Sequence, residues 1–429
     1  MVPRNPYINF IPYNPKKLFG NWNHQFYKTH NFDSIASLDS AENFPTQFYI
    51  TKEKIKETFL RMERKINLVI TAVGTGSIVD LIEKDLDELE PYISSITLTD
   101  LRDINLEKWK TINNSEIVLK KQIGDITTIE FIQTLSGDMF YGNELFGDIP
   151  NRFIYKKNNK YYDIWIKAYS PNKMPKIIET QMKNILYSIY YKNKFPEIFT
   201  PEIGKILAFD IAIKRRIFSY EINHYYQFYP NDFIIAVSDT AYRILFELYE
   251  RLNKKGTILF HDYGFFAKEN IHLIENFANS NNKNNEFVRN YYGEFTTDPS
   301  FDFLYHKLKV AVKNISIRKT ADLVSEITNT PKPLVNLDGQ ERDSSFFIKI
   351  IRERFEAWKI EEKESIENIL NDFVLALKNN SCDFDFFTNK INECTGNNLD
   401  INKNLTIKKI LLGYFNDDDH RFLSIEINK

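Results

Sequence analysis

The sequence predicts an α/β fold built on a parallel, Rossmann-like sheet, and three observations lead there. The stretch Asn67-Leu-Val-Ile-Thr-Ala-Val-Gly-Thr-Gly-Ser-Ile-Val-Asp80 is a short apolar run that breaks into Gly-x-Gly and resumes with helical spacing. α/β folds build a nucleotide cradle from this order of strand, tight turn and helix. Apolar strands then alternate with amphipathic helices, which implies parallel pairing. That alternation is interrupted once, near residues 151–232, and then resumes. Gly74 and Gly76 are both present, but Ser77 and Ile78 follow where a third glycine often stands. An ordinary strand-to-helix turn also uses glycine, because glycine tolerates positive φ.

Residues 1 to about 50 are rich in Pro, Asn and aromatics, show little periodicity, and are expected to pack as irregular structure. A helix is expected over 52–64, with Ile55, Phe59 and Met62 on one face. The first strand, 68–73, is followed by a helix over 78–89. A second strand, 95–99, ends in Asp100, and a third, 116–119, leads to Gly124-Asp125-Ile126. A helix over 128–135 precedes a fourth strand, 138–142, which runs into Asn143-Glu144. In the interruption, strands at 154–155 and 161–166 flank a polar turn, and helices are expected near 176–191 and 201–220. We read this as an insertion over the carboxyl edge of the sheet, where a lid or substrate wall would lie. The alternation returns with a helix over 239–254, carrying Tyr242, Leu245, Phe246, Tyr249 and Leu252 at helical spacing. A strand over 256–261 ends in Asp262-Tyr263-Gly264, followed by a helix over 301–312 and a strand over 315–318. Residues 346–378 read as one kinked helix or two, and 422–427 as a closing strand. The expected organisation is an irregular segment at 1–50, a sheet domain from 51–150 and 233–320, an insertion at 151–232, a helical accessory region at 321–415 and a closing strand within 416–429.

Bulk properties narrow the function classes. A net charge of -2 and a pI near 6.4 give no footprint for nucleic acid. The run Lys156-Lys157-Asn158-Asn159-Lys160 reads as a solvated loop. Cys382 and Cys394 offer neither a disulfide framework nor metal spacing, and a reducing, cytoplasmic setting fits. The seven histidines are scattered without a paired spacing, so no metal site is expected. No apolar run approaches the roughly 20 residues of a membrane span, and the first residues lack the order of a signal peptide.

The residues at the strand ends carry the chemistry. Val73-Gly74-Thr75-Gly76 forms the candidate cradle. Asp100, closing the second strand, can accept from both hydroxyls of a ribose, although an Asp there also serves as a cap. Asp125 can accept from an adenine amino group while Ile126 packs on the ring, although Asp125 also suits a turn. Asn143 and Glu144 reach the same edge, and open α/β sheets bind ligands outside the carboxyl ends of their strands. An adenosine cofactor without a Walker lysine, a second glycine finger or a metal cluster suggests S-adenosylmethionine (SAM) ahead of ATP or NAD.

Asn143-Glu-Leu-Phe-Gly-Asp-Ile-Pro-Asn-Arg-Phe153, followed by Tyr162-Asp-Ile-Trp-Ile166, resembles the Asn-Glu-Phe-Phe-Asp-Ala-Leu-Pro segment of the MidA-like SAM-dependent methyltransferases. That family includes the mitochondrial complex I assembly arginine methyltransferase. Residues 238–254 with Gly256-Thr-Ile-Leu-Phe-His-Asp-Tyr-Gly264, and Gly293-Glu-Phe-Thr-Thr-Asp-Pro-Ser-Phe-Asp-Phe303, resemble the blocks that follow in the family. Together these span roughly residues 66–320. The resemblance implies a class I methyltransferase sheet, SAM as cofactor and a protein or peptide substrate; the oligomeric state is left open by the sequence, with a homodimer compatible. The chain departs from the family pattern at Thr71-Ala72-Val73, where an acid usually precedes the glycine turn. It departs again at Gly147, where the family has an acid and this chain carries Asp148 one position later.

Methyl transfer needs a nucleophile held in line with the S–CH3 bond. An arginine acceptor, planar and cationic, would suit carboxylates that pair with its fork of donors. Glu144 is the first candidate for that role, Asp148 the second and Asp262 the third. His261 reads either as a general base or as a hydrogen-bonded core residue, and Asp298 and Asp302 read as helix caps. Three alternatives are a methyltransferase of peptide natural-product or small-molecule biosynthesis, a non-catalytic assembly or binding factor on the same fold, and, more distantly, an oxidoreductase.

Overall fold

The computed structural model describes residues 12–29, 45–74, 77–103, 106, 115–170, 175–197, 199, 204, 206–271, 274, 288–291, 294–328, 334, 343–354, 360–379, 381–394, 407–408, 410–411 and 422–429. Thirteen strands are described: β1 Ile66–Thr71, β2 Ile93–Asp100, β3 Val118–Ile123, β4 Gly137–Asn143, β5 Arg152–Lys157, β6 Lys160–Tyr169, β7 Ala208–Ile217, β8 Phe233–Val237, β9 Leu252–Tyr263, β10 Arg289–Tyr291, β11 Glu294–Thr296, β12 Asn314–Lys319 and β13 Phe422–Asn428.

Seven of them form one sheet in the order β12-β13-β9-β4-β1-β2-β3. The pairs β1/β2, β2/β3, β1/β4 and β4/β9 are parallel. The central strands are buried almost without a break, five of six residues in β1 and six of seven in β4, as a sheet covered on both faces requires. β3 is an edge strand and exposes Val118, Lys120, Lys121 and Ile123, whose charges guard the open edge. β13 runs against β9. Lys255 N–H donates to Lys429 O, Lys429 N–H donates to Gly256 O, and His261 meets Ser424, so one strand advances as the other retreats. A parallel sheet with one reversed strand inserted beside its last members is the class I methyltransferase form of the Rossmann-like fold, and the expected fold class holds.

The interruption differs from expectation. Instead of a hairpin followed by two helices, residues 152–237 form a second, antiparallel sheet in the order β7-β6-β5-β8. The helix expected over 201–220 is replaced by β7, which pairs with β6 from Tyr161↔Ile217 to Tyr169↔Ala208. Phe209, Ile211 and Ile213 alternate with Asp210 and Lys214, and a ready partner strand makes that period decisive over local helix propensity. The helix Lys176–Tyr187 and its π-turn Ser188–Lys192 match the other expectation.

A second correction falls within the segment expected to be irregular, at its described residues 12–29. Helix α1, Pro15–Thr29, buries Leu18, Phe19, Trp22 and Phe26, an i, i+1, i+4, i+8 stripe that the surrounding Asn and Lys residues obscured. These side chains join Phe153, Ile166, Met182 and Phe295 in one apolar cluster. The helix Asp239–Arg251 forms as expected. Ser238 caps it by accepting from Ala241 N–H at 3.1 Å, and its buried face is Ala241, Ile244, Leu245 and Leu248.

Two compact units are present: 1–42 with 54–317 and 423–429, and 43–53 with 318–422. The first holds the main sheet and everything discussed as a site. In the second, the helices Ser344–Arg354 and Ile360–Lys378 stand where one kinked helix or two were expected. With Phe384–Cys394, they pack Phe347, Ile351, Ile366, Leu370, Phe373 and Ile391 into a core of their own. Among the described residues no helix is long and apolar enough to cross a membrane.

Candidate functional site

The register of the sheet brings the predicted residues to one edge. Thr71 of β1 lies beside Gly142 of β4, Asn143 beside His261 of β9, and Asp100 beside Ile123 of β3. The ladder continues just past the strand ends. Val73 N–H donates to Thr99 O, Gly124 N–H to Asp100 O, and Glu144 N–H to His261 O. Parallel strands in this register must release Val73-Gly74, Asp100, Gly124-Asp125, Asn143-Glu144 and Asp262 at the same carboxyl edge. Among the predicted residues, Thr75 and Gly76 lie outside the described residues.

The cradle is held by its neighbour. Asp100 accepts from Gly74 N–H at 3.0 Å and from Arg102 N–H at 3.1 Å, so the acid that ends β2 also shapes the turn after β1. Gly74 has φ 58° and Ala72 has φ 51°. Glycine adopts this region readily, whereas alanine is strained there. Glu144, at the end of β4, has φ 47°. Non-glycine residues in the left-handed region thus stand at the ends of both central strands, where strain accompanies function more often than elsewhere.

Asp125 accepts at Oδ1 from Thr127 N–H and Oγ1–H, at 2.8 and 2.6 Å, and its Oδ2 lies 3.3 Å from His24 Nδ1. Burial by itself would raise this carboxyl, but the hydrogen bonds from His24 and Thr127 outweigh it and hold Asp125 below the usual carboxylate range. It is therefore an ionised acceptor. Ile126 is buried in the main core. Both amide atoms of Asn143 are buried and have no hydrogen-bond partner among the described residues. A buried amide without partners costs about 1–3 kcal/mol, and a polar ligand at the strand end would remove that cost. The ionised Asp125 and the orphaned Asn143 amide therefore suit a group rich in hydroxyls and amines, such as the adenosine of SAM.

Beside this edge lies a group of acids. Asp262 is 3% exposed, and its carboxylate accepts from Phe146 N–H and from Tyr263 N–H. It ties the loop after β4 to the end of β9. Burial, then the charge of Asp148, pushes its carboxyl well above the ordinary range. Asp148 accepts from Tyr27 O–H at 2.7 Å, and the same hydroxyl contacts the carboxyl of Glu294. Burial raises Asp148. It also raises Glu294, where the charge of Asp148 adds to the effect and Glu144 contributes further. Arg289 supplies the counter-charge through an ion pair with Asp298 at 2.7 Å, and its guanidinium lies 5.3 Å from the Tyr263 ring centroid.

The expected cap roles of Asp298 and Asp302 are replaced by these tertiary bonds. Asp298 pairs with Arg289. Asp302 accepts from Tyr229 O–H and Ala267 N–H, and burial pushes it up to about 6. His261 is a core residue. It is fully buried against Ser424 at 2.7 Å, and burial pushes it down to about 3.

The departure at Gly147 has a steric cause. A Cβ there would lie 2.6 Å from Thr297 O and 2.8 Å from Thr296 Oγ1, so the end of β11 and the residue after it exclude any side chain, and the acid stands at 148. Sequence reasoning missed His24, Tyr27, Arg289 and Glu294. The last belongs to the Gly293-Glu-Phe block already singled out, and the first two follow from the apolar stripe of α1.

No family model matches this chain, and no curated protein matches its sequence. Among solved structures, it is similar to an uncharacterized protein of the MidA-like superfamily from Burkholderia thailandensis. The TM-score is 0.50 at 10% identity, covering 98% of this chain and 87% of that one. It also matches a Burkholderia thailandensis member of that superfamily bound to S-adenosyl-homocysteine (SAH), with TM-score 0.44, 12% identity and coverage of 91% and 78%. The plantazolicin methyltransferase BpumL with a desmethyl substrate analogue and SAH matches with TM-score 0.36, 10% identity and coverage of 96% of both chains.

Proposed function

We propose that the chain is a SAM-dependent methyltransferase of the MidA-like kind, acting on a nitrogen of a protein or peptide, with arginine the favoured acceptor. The observation that carries this reading is the placement, at one carboxyl edge, of an adenosine-suited set and an acid group side by side. Asp100, Asp125 and Asn143 make the first, and Glu144, Asp148 and Glu294 the second. The fold and the sequence resemblance support the same reading. The cytoplasm is the proposed compartment.

SAM, when bound, supplies an electrophilic methyl group on a sulfonium. Val73, Gly74 and Asp100 would hold the ribose end, and Asp125 with Ile126 the adenine. Glu144 and Asp148 would pair with the acceptor's N–H groups and draw positive charge away from the attacking nitrogen. Asp262 keeps the Glu144–Asp148 loop in place through the amide of Phe146. The Asp148 and Glu294 carboxyls, raised by burial, bracket the Tyr27 hydroxyl and keep their protons, so the proton that the methylated nitrogen releases would pass to solvent water.

Calorimetry with SAH tests the cofactor, and methyl transfer from labelled SAM to arginine-containing peptides tests the acceptor. Glu144→Gln is expected to lower kcat by about 100-fold or more with SAH affinity kept. Failure of the wild-type protein to bind SAM or SAH removes the proposal.

A further inference from the structure

Helix α1 lies outside every segment that carries the family resemblance, yet one of its faces reaches the candidate site. Its apolar stripe, Leu18, Phe19, Trp22 and Phe26, is buried in the cluster with Phe153 and Phe295. Asn23 locks its position through buried bonds. Its amide donates to Asp148 O at 2.9 Å and Phe295 O at 2.7 Å, and its Oδ1 accepts from Phe295 N–H at 3.1 Å. Tyr27, one turn on, reaches Asp148 and Glu294. His24 stands next to Asn23 and places Nδ1 3.3 Å from Asp125 Oδ2.

We infer that His24 is a cofactor-positioning residue, which acts through Asp125 to set the protein's preference for an adenine amino group. The argument is one of acceptor capacity. An ionised carboxylate offers about four acceptor positions on two oxygens. Thr127 occupies Oδ1 with its amide and its hydroxyl, and His24 takes one position on Oδ2. Three donors fix the plane and rotation of the carboxylate and leave capacity on Oδ2 for one more. The pair is also reachable, since about a quarter of each side chain is exposed. An exocyclic amine supplies the missing donor, whereas a hypoxanthine, with a carbonyl in that place, presents an acceptor to an acceptor. Without His24, Oδ2 loses its orienting donor and the carboxylate can turn about its last torsion.

This inference rests on the cofactor reading, so its test separates the two. Binding of SAH and of S-inosylhomocysteine, its deaminated analogue, is measured by calorimetry for the wild type, His24→Leu and His24→Asn. Asn places an amide nitrogen at the same bond distance from Cβ as Nδ1 and can restore the donor. His24→Leu is expected to weaken SAH binding about tenfold, the scale of one hydrogen bond to a charged group. S-inosylhomocysteine binding is expected to change less than about twofold, and His24→Asn to recover most of the loss. Thermal unfolding of each variant monitors folding. An equal loss for both ligands, or no loss for SAH, overturns the role of His24 while the cofactor reading stands. A wild type that binds neither ligand overturns the cofactor reading and this inference with it.

Discussion

Replacing Glu294 by Gln should stabilise the protein at alkaline pH, and the size of the effect follows from the site. Tyr27 O–H contacts Asp148 and Glu294 together. Two carboxyl oxygens bonded to one hydroxyl oxygen lie no more than about 5.5 Å apart. At about 5 Å and an effective dielectric constant near 20, two ionised carboxylates repel by about 3 kcal/mol. Both groups are raised in the folded chain. Between the unfolded carboxyl range near pH 4 and the folded values, the folded chain therefore binds more protons than the unfolded one, and stability falls as pH rises. Glu294→Gln keeps the shape and removes one titrating group that burial and the Asp148 charge raise. Denaturant unfolding at pH 5 and pH 8 is expected to show a gain over wild type that grows with pH to about 2–3 kcal/mol. A difference that is independent of pH, or that falls as pH rises, would refute the shared-hydroxyl arrangement.

Other outcomes follow from individual contacts. Asp100→Ala should weaken SAH binding by about 30-fold or more, because the acid both accepts from Gly74 and faces the ribose position; an unchanged dissociation constant in calorimetry would count against that placement. Gly142→Ala should cost about 1–3 kcal/mol, since its Cβ would meet the buried Phe260 ring at 2.1 Å, and a thermal shift assay reads it. His261 is pushed down to about 3 by burial, so the folded chain holds fewer protons there than the unfolded one below about pH 6.5, and stability is lost as pH falls. His261→Asn should shallow that acid-side slope in denaturant unfolding, whatever its cost at neutral pH. Phe146→Ala, which removes a fully buried ring stacked 5.2 Å from Phe260, should cost about 3–5 kcal/mol in the same measurement.

By itself the sequence determined the parallel sheet and its carboxyl edge. Apolar runs ending in glycine or an acid are local signals, and the parallel register carries Gly74, Asp100, Asp125 and Asn143 to one edge without further information. Only the tertiary structure decided what those ends touch. β7 became a strand because β6 lay beside it; the alternation of Phe209, Ile211 and Ile213 is a local strand signal, but the partner that makes it decisive lies some fifty positions away. The four groups packed around the acid group and Asp125, His24, Tyr27, Arg289 and Glu294, come from a helix far upstream and a hairpin far downstream. Asp262 accepts from the Phe146 and Tyr263 amides and so ties the loop after β4 to the end of β9, a contact between segments more than a hundred residues apart. A carboxylate in a sequence has acceptor capacity of known size; which donors fill it depends on packing between elements distant in the chain.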